Sequence, residues 1–487
     1  SLFLGGNVCW FSCIWILLLA LNHFFMKNIL TSLALLLALP TSIPAQSTFE
    51  RHFGTPSKLD AFSAIAPTPG GGYLLAGTTA NFGSAGLDIF LVKTDGGGNV
   101  LWTKTWGSPG NDGAAALMQV SGGGYLLAGH TAGANGDRDF LALRLDEDGD
   151  EVWRVVRGGS DDDAATHLLA LSNGDFIVSG SIAPTPPLPG PDVFVMRIAA
   201  NGSVIWENSL GISGSSKGTV ETSDGGFILA NNFGSLRKFD AQGNYIWQKT
   251  VMIPAAPAVV ADIEFIQRDL VGQIIVGGGN NYAAQPFFAT LNESGDLESN
   301  FNLPQDDVSF IGQRLADAER LSNGHYALMF RDLNAPTAAF FRPGLAVFDP
   351  VADTVLWRAT YEELGLADIW QPGQLIKMEV GDDLLLVGST SSVEEGVNAF
   401  LSKCSDTGTP LWHKTFGVTA LADNESARKV LQTSDGGYLV LANKAVGGNS
   451  FDMWLIKTDA NGNAQWDVAG YGARWRLHSG GLQWCDY

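Results

Sequence analysis

The stretch GGYLLAGTT at Gly71–Thr79 returns almost unchanged as GGYLLAGHT at Gly123–Thr131, and six looser copies follow along the chain. Each copy opens on a turn and continues as a short apolar run, which is typical of a β-strand covered on both faces. A period of about 50 residues kept over eight copies predicts a propeller or a solenoid. The aromatic or equivalent position of the copies falls at 73, 125, 176, 227, 274, 326, 384 and 438.

A second landmark follows most copies. DIFLVKTDGGGNVLW at Asp88–Trp102 holds two strand-like runs joined by a glycine-rich turn ending in Asn, which favours a tight hairpin because Gly and Asn accept positive φ. The residues after Trp102 alternate in polarity, as an outer strand does. With the segment leading into the next copy, each period holds four strands, the content of one propeller blade. Copy five has lost the tryptophan.

The start of the repeat region suggests how the ring closes. Residues 48–54, TFERHFG, resemble the outer-strand phrase LWHKTFG at Leu411–Gly417. An N-terminal strand that completes the last blade is a common way to close a propeller. We therefore predict an all-β fold, a single propeller of about eight four-stranded blades over residues 46–473, with seven blades as the second choice.

Composition narrows the function classes. The 487 residues carry 50 acidic against 29 basic side chains, a formal net charge of −21. Such a surface repels phosphate backbones, so nucleic acid is not expected as a partner. Apolar residues make up 45% of the chain, too many for a disordered protein, and the 59 glycines suit many short strands joined by turns.

The N-terminal segment predicts export. Residues 26–45 combine a short basic start, the apolar stretch Ile29–Leu39 and small residues up to Ala45, the three parts of a signal peptide. That apolar stretch is short for a bilayer span, which needs about 20 residues. The predicted location is secreted or cell-surface, without stable membrane insertion after cleavage. Residues 1–25 are expected to be upstream translation that is not native, with a membrane anchor as the alternative.

The repeat phrases resemble those of secreted β-propeller proteins from Bacteroidetes-type bacteria, which often carry a type IX secretion sorting domain. The resemblance covers about residues 47–467 and implies an exported propeller. The phrases are also distantly similar to the tryptophan-docking blades of the quinoprotein alcohol dehydrogenases. Neither resemblance implies a substrate, because propellers serve as binders, scaffolds and enzymes.

Two sets of residues repeat with the blades and are expected to serve the fold. A carboxylate at the start of a strand can cap a turn, although one per blade could instead ring a channel and bind a cation or sugar. An indole per blade is expected to wedge between neighbouring blades, with stacking on sugar rings as the alternative. The carboxylates are Asp88, Asp139, Asp192 and Asp452; the indoles are Trp102, Trp153, Trp206, Trp247, Trp357, Trp412 and Trp466.

Three other tryptophans, Trp106, Trp370 and Trp454, stand at repeat positions not otherwise filled by tryptophan, and we predict that they bind ligand. The run Asp161, Asp162 and Asp163 is a candidate for a hard cation at an exposed rim. The segment Asp146–Glu151 resembles a calcium loop, but Glu151 stands where the EF-hand requires glycine. No cofactor is predicted, and calcium is the one ion left open.

Motifs for catalysis are absent from the sequence: it holds no Gly-x-Ser-x-Gly, His-Glu-x-x-His or Gly-x-x-x-x-Gly-Lys-Ser/Thr. The leading hypothesis is an exported, non-enzymatic propeller that binds a glycan, a protein or a cell-surface component. The alternative is a secreted polysaccharide hydrolase, endoglucanase-like, or a quinone-type oxidoreductase. Three insertions interrupt the repeat and could build a site: Ala183–Pro191, Phe330–Gly344 and Thr360–Gly373.

The C-terminal segment 474–487 departs from the repeat. Strong copies continue past the tryptophan with a phrase such as Lys-Thr-x-Gly, but Trp466 is followed by Asp467-Val468-Ala469-Gly470. We expect a shifted or truncated reading frame near residues 467–472 and a disordered tail, with a natural short tail as the alternative.

Export gives the first testable prediction. N-terminal sequencing of secreted material should start at or near Gln46, because cleavage after Ala45 follows the signal-peptide pattern. A mature chain that still contains Leu30–Leu39 would contradict this prediction.

Overall fold

The computed structural model describes residues 49–53, 59–464, 474–478 and 481–485. The chain divides into two units, Ser1–Gln46 and Ser47–Tyr487, and the first lies outside the described residues together with the predicted signal peptide. Within 59–464 the gaps are 81, 84, 184–189, 254–258, 270, 280–285, 303–312, 333–343, 362–368, 379, 393–395, 418–424 and 446–450.

Seven four-stranded antiparallel sheets follow one another along the chain, and a six-stranded sheet supplies the eighth blade from its last-blade strands and the N-terminal strand; we call them blades 1 to 8. The first strands of successive blades contact one another, and those of blades 8 and 1 also meet, so they form the inner wall of a closed ring. The predicted all-β fold with eight blades is confirmed. Among the described residues, no helix is long and apolar enough to cross a membrane.

The strand bounds follow the sequence repeat closely. In chain order they are β1 (Phe49–Phe53); blade 1, β2–β5 (Asp60–Pro67, Tyr73–Thr79, Asp88–Thr94, Val100–Trp106); blade 2, β6–β9 (Gly113–Gln119, Tyr125–Ala132, Arg138–Leu145, Glu151–Arg157); blade 3, β10–β13 (Ala164–Ala170, Phe176–Ile182, Asp192–Ile198, Val204–Ser213); blade 4, β14–β17 (Ser216–Glu221, Phe227–Asn231, Ser235–Phe239, Tyr245–Thr250); a small pair, β18 and β19 (Met252–Ile253, Val259–Val260); blade 5, β20–β23 (Asp262–Arg268, Ile274–Gly279, Pro286–Leu291, Leu297–Asn302); blade 6, β24–β27 (Gln313–Arg320, Tyr326–Asp332, Gly344–Asp349, Thr354–Thr360); blade 7, β28–β31 (Ile369–Lys377, Leu384–Ser392, Gly396–Cys404, Pro410–Phe416); blade 8, β32–β34 (Ser426–Gln432, Tyr438–Ala445, Phe451–Thr458); and β35 and β36 (Arg474–His478, Gly481–Cys485).

Burial follows strand position within each blade. The second strand of blade 1, β3, is buried at six of its seven residues, whereas the outer strand β17 of blade 4 has no fully buried residue. Stacked blades cover both faces of the middle strands, so these strands read as apolar runs rather than alternating ones. The outer strands meet solvent and keep the alternation expected from sequence.

The ring closes through its N-terminal strand. β1 pairs antiparallel with β34 and becomes the outer strand of blade 8. Phe49 lies opposite Lys457 in that pairing, the register in which Trp102 lies opposite Lys93 in blade 1. Phe49 therefore takes the tryptophan position of blade 8, and Trp466, predicted to serve the fold there, lies outside the described residues.

Two strands are assigned in the C-terminal tail. β35 and β36 form an antiparallel pair, and β35 lies parallel to β1 with Arg474 opposite His52. The sequences RWRLH and GLQWC alternate in polarity, as strands do. The expectation that segment 474–487 is disordered or out of frame stays a prediction.

Six of the repeated tryptophans pack against the same kind of residue, a glycine of the next blade. Each indole lies against a glycine in the turn that follows the third strand of the next blade, where a Cβ atom would come closer than 3 Å to the ring. Three indoles also donate Nε1–H to carbonyls of those turns: Trp153 to Ala200 at 3.1 Å, Trp206 to Ala241 at 3.3 Å and Trp357 to Asp406 at 2.6 Å. The pairs are Trp102–Gly149, Trp153–Gly202, Trp206–Gly243, Trp247–Gly295, Trp357–Gly408 and Trp412–Gly462.

The junction between blades 5 and 6 lacks both members of this pair, the tryptophan and the glycine. Ser299 lies opposite Thr290 in blade 5, at the register position where the other blades carry tryptophan. Asp353, at the matching turn position of blade 6, has φ of 52° and is the one non-glycine residue with positive φ among those described. A side chain can stand at this turn because no indole from blade 5 covers it.

Ion pairs cross this junction instead. Arg314 of blade 6 contacts Asp262 and Glu264 of blade 5, each at 2.5 Å, and Arg331 contacts Glu264 at 2.7 Å. Burial opposes ionisation of Glu264, but the three cations around it, Arg331, Lys217 and Arg314, outweigh that cost and hold its pKa below the usual value. The Arg314 pairs join the first strands of the two blades, β20 and β24, at the inner wall, and not the outer strands that carry the indole at other junctions.

We expect Trp153→Ala to lower the free energy of unfolding by roughly 3–5 kcal/mol, because it removes a large side chain packed between blades 2 and 3. The matched control is Val152→Ala on the same strand, whose side chain is 58% exposed. Urea unfolding monitored by the circular dichroism of the backbone measures the free energies of both variants. A cost for Trp153→Ala no larger than that of the control would contradict the packing role.

Candidate functional site

A pocket of about 770 Å³ opens on the inner wall of the ring at blades 3, 4 and 5. Its walls come from the first strands of these blades, β10, β14 and β20, and from the turns that follow β10 and β14. This volume lies within the range of about 300–1,000 Å³ typical of ligand pockets.

Gly218 lines this pocket at a close approach between inner strands. The register of each first strand shifts at a bulge, and Gly218 is the residue that follows the bulge in β14. A Cβ atom there would lie 3.1 Å from the carbonyl oxygen of Ile266 and 3.9 Å from the ring of His167. The matching residue carries a side chain in the neighbouring blades, namely His167 and Phe265. The glycine therefore lets the inner strands of blades 4 and 5 approach closely beside the pocket.

Strand edges, rather than strand faces, form the walls. Leu168 and Leu169 both line the pocket, as do Thr219 and Val220. Because successive side chains of a strand point to opposite faces, consecutive residues can line one cavity only where the strand presents its edge. The pocket thus combines aliphatic side chains with the backbone groups of inner strands.

Carboxylates at the mouth tie adjacent blades together. Glu221 of blade 4 accepts hydrogen bonds from the backbone N–H of Ser172 at 3.0 Å and from its hydroxyl at 2.8 Å. Glu293 of blade 5 accepts the same two bonds from Ser223, at 2.9 Å and 2.6 Å. Arg268 pairs with Glu293 at 2.6 Å. Burial opposes ionisation of Glu293, but the Ser223 bonds and Arg268 outweigh it and lower its pKa.

His167 is the polar group inside the pocket. Its Nδ1 lies 2.8 Å from the hydroxyl of Thr166. Burial, with a smaller contribution from Lys217, lowers the pKa of His167 from 6.5 to about 4. The imidazole is therefore neutral at physiological pH and offers a hydrogen-bonding group without charge.

The three tryptophans predicted to bind ligand lie apart from this pocket. Trp454 is fully buried in the packing between blades 7 and 8, so the ligand prediction for it is wrong: no ring face is open. Trp106 donates its Nε1–H to Glu151 at 2.8 Å and lies under the guanidinium of Arg154. It therefore packs on the next blade. Trp370 lies in β28, and its side chain is outside the described part of the chain.

The repeated aspartates stand at or near the start of third strands. Asp192 accepts backbone N–H groups of Gly211 and Ile212 at 3.1 Å and 2.9 Å, which holds the end of the outer strand of its blade. Asp88 and Asp452 are buried. The pKa of Asp139 is raised, first by burial and then by a neighbouring carboxylate. The contacts of Asp192 give it a structural role.

The predicted metal residues are separated by the structure. Asp161 is exposed, Asp162 pairs with Arg138 at 2.8 Å, and the buried Asp163 accepts the backbone N–H of Gly159 at 3.1 Å. Across the residues that the structure describes, no three His, Cys, Asp or Glu side chains are grouped closely enough to hold a metal ion. The metal prediction for this run gains no support from these contacts.

The segment Asp146–Glu151 forms an ordinary hairpin turn. The Asp146 carboxylate accepts the backbone N–H groups of Asp148 and Asp150 at 3.0 Å and 2.8 Å. Asp150 also pairs with Lys104 of blade 1. These side chains are engaged in turn formation and in contacts between blades.

Sequence reasoning missed the pocket. The signal was available in the copy at Gly225–Asn231, which the next copy follows at the shortest spacing, and in Gly218 itself, but its meaning depends on which strands become neighbours across the ring. The predicted insertions Ala183–Pro191, Phe330–Gly344 and Thr360–Gly373 lie largely outside the described residues, so the structure leaves that prediction where it stood.

No family model matches the chain. A curated protein, regulatory protein FlaEY of Caulobacter vibrioides, is 31% identical over 137 residues, which is 24% of this chain and 14% of that protein. The chain thus matches about a seventh of the length of this relative.

Solved structures share the fold at low identity. The structure of Chaetomium thermophilum Sqt1 bound to the N-terminus of ribosomal protein L10 has a TM-score of 0.55 and 12% identity, covering 85% of this chain and all of that one. The C-terminal WD40 domain of Sif2 has a TM-score of 0.52 and 7% identity, covering 84% and 98%. These similarities show a β-propeller. The Bacteroidetes-type origin and the sorting domain remain predictions.

The neutral His167 gives a pH-dependent prediction. Below pH 6.5 the unfolded chain binds a proton at this residue, whereas the folded protein binds it only near pH 4, so acidification favours unfolding in that interval. His167→Gln removes this effect. We expect the unfolding free energy of the variant, taken relative to that of wild type, to rise by about 2–3 kcal/mol when the pH falls from 7 to 4.5, as measured by urea titration. An unchanged difference would contradict the burial of a neutral imidazole.

Proposed function

We propose that this protein is an exported binding protein that holds a segment of a partner protein in the pocket at blades 3 to 5. The observation that carries the proposal is the pocket of about 770 Å³, whose lining includes His167, Gly218 and Ile266. The predicted signal peptide and the net charge of −21 favour a location outside the cell or on its surface.

The lining favours binding over catalysis. Glu221 and Glu293 spend their carboxylate oxygens on neighbouring turns, so they hold blades together rather than face the cavity as an acid and base pair. A glycosidase needs two carboxylates about 5–10 Å apart across its substrate. The hydrolase and the quinone-type oxidoreductase remain the second hypothesis.

A protein segment suits the walls better than a glycan does. Aliphatic side chains and strand edges form them, and the described lining residues include no tryptophan, tyrosine or phenylalanine on which a sugar ring could stack. Sqt1, a structural neighbour, is bound to the N-terminus of a ribosomal protein. A chain segment is the kind of ligand that we propose for this pocket.

The test is a phage-displayed peptide library panned against the purified protein, with a glycan array and a panel of polysaccharide hydrolysis assays run beside it. The affinities of synthetic copies of the enriched peptides are then measured for Gly218→Val, which adds a side chain to the pocket lining, and for Gly381→Val as the matched control. Both glycines have positive φ, but Gly381 faces open space. The two variants therefore share backbone strain and differ in the pocket.

We expect peptide affinity to fall at least tenfold for Gly218→Val and to stay within threefold of wild type for Gly381→Val, with thermal unfolding recorded for both. Enrichment of glycans alone, turnover of a polysaccharide, or equal affinities for the two variants would refute a protein-binding pocket at Gly218.

A further inference from the structure

Inner strands of a propeller leave one backbone edge facing the ring interior, and two junctions of this protein cap that edge with side chains. The amide oxygen of Gln374 in blade 7 accepts the backbone N–H of Val430 in blade 8 at 3.0 Å. Asp317 of blade 6 accepts the N–H of Leu375 in blade 7 at 3.1 Å. In both cases the residue after the bulge reaches across to the next inner strand.

Strand register identifies the matching groups in the pocket. Val430 is the second residue after the bulge of β32 and pairs with Val440; Thr219 is the second after the bulge of β14 and pairs with Leu229. The N–H of Thr219 therefore faces the ring interior as that of Val430 does. The residue placed to cap it is His167, the first after the bulge of β10.

His167 does not supply that cap. Its Nδ1 is engaged by the hydroxyl of Thr166, and no hydrogen bond joins it to Thr219 within the described chain. The hydroxyl of Thr219 is also buried without a hydrogen-bond partner among the described residues, and the side chain lines the pocket. Thr219 thus brings an edge N–H and a buried hydroxyl to one place. Buried polar groups in native proteins are nearly always paired.

We propose that the pocket binds an extended polypeptide through its backbone, with a carbonyl oxygen of the bound segment accepting the N–H of Thr219. This inference rests on the proposed function and specifies the form of the partner: an unfolded stretch that lies along the edge of β14, as in β-strand addition. Leu168 and Ile266, on the flanking inner strands, enclose the side chains of that stretch.

Charge and chemistry favour this occupant over others. A second copy of the protein would bring another 21 negative charges to the same ring and is opposed by repulsion. A glycan offers hydroxyl groups, whereas a peptide offers carbonyl acceptors at a spacing that matches a strand edge. The neutral His167 lets an uncharged segment enter.

A side-chain exchange between two junctions tests the inference. His167→Gln places in blade 3 the residue that caps Val430 from blade 7, so its amide oxygen should take the N–H of Thr219 and compete with the peptide. His167→Leu changes the same wall without an acceptor. Gln374→His removes the cap at a junction outside the pocket. The probes are synthetic peptides enriched by panning, with affinities measured by fluorescence anisotropy.

We expect His167→Gln to weaken peptide binding about tenfold more than His167→Leu does, the effect of one hydrogen bond, and Gln374→His, outside the pocket, to stay within threefold of wild type. Hydrogen exchange of the segment 216–222 should slow at least tenfold on peptide binding. Equal affinities for His167→Gln and His167→Leu, or unchanged exchange at 216–222, would overturn backbone pairing. Loss of binding in Gly218→Val alone would then leave the proposed function intact, whereas a failure of all peptides to bind would refute both.

Discussion

Six of the eight junctions between blades carry an indole seated on a glycine of the neighbouring blade. A four-stranded sheet cannot bury its own faces, so the ring is stable only if consecutive sheets approach closely along their full height. Near the outer edge, where the blades diverge, the tryptophan fills the widening space, and the glycine hairpin lets the ring lie flat on the backbone. Any Cβ atom at Gly149 or Gly202 would occupy the volume of the indole, so the two residues act as a pair.

At the junction of blades 5 and 6 the tryptophan and the glycine are absent together, which shows that each depends on the other. Ser299 and Asp353 have replaced both members of the pair together, and Arg314 joins the two blades through Asp262 and Glu264. Closure of the ring obeys the constraint too, because β1 brings Phe49 to the tryptophan register of blade 8. The ring therefore needs a packing solution at every junction, but it does not need the same one.

Local sequence could predict what depends on one blade: its strands, its hairpins and the repeat of eight. It could not predict what depends on contacts between blades. Trp454 was interpreted as a ligand residue because tryptophan is unusual at that position, yet Phe90 stands there in blade 1 and both side chains are buried. The role of Gly218 at the pocket could not be predicted for the same reason, since it appears only when His167 and Ile266 are brought to either side of it.

The contacts between blades vary along the inner wall, whereas they are nearly constant at the outer edge. Outside, the repeat imposes one contact on nearly every junction; inside, the residue after the bulge varies from blade to blade, and each choice decides whether the next strand edge is capped. Gln374 and Asp317 cap the next inner strand, whereas Gly218 has no side chain with which to cap β20. Because the outer contacts already fix the ring, variation at this inner position alters the cavity without altering the fold. The repeat thus supplies the scaffold, and departures from it at one position of the inner strands supply the site.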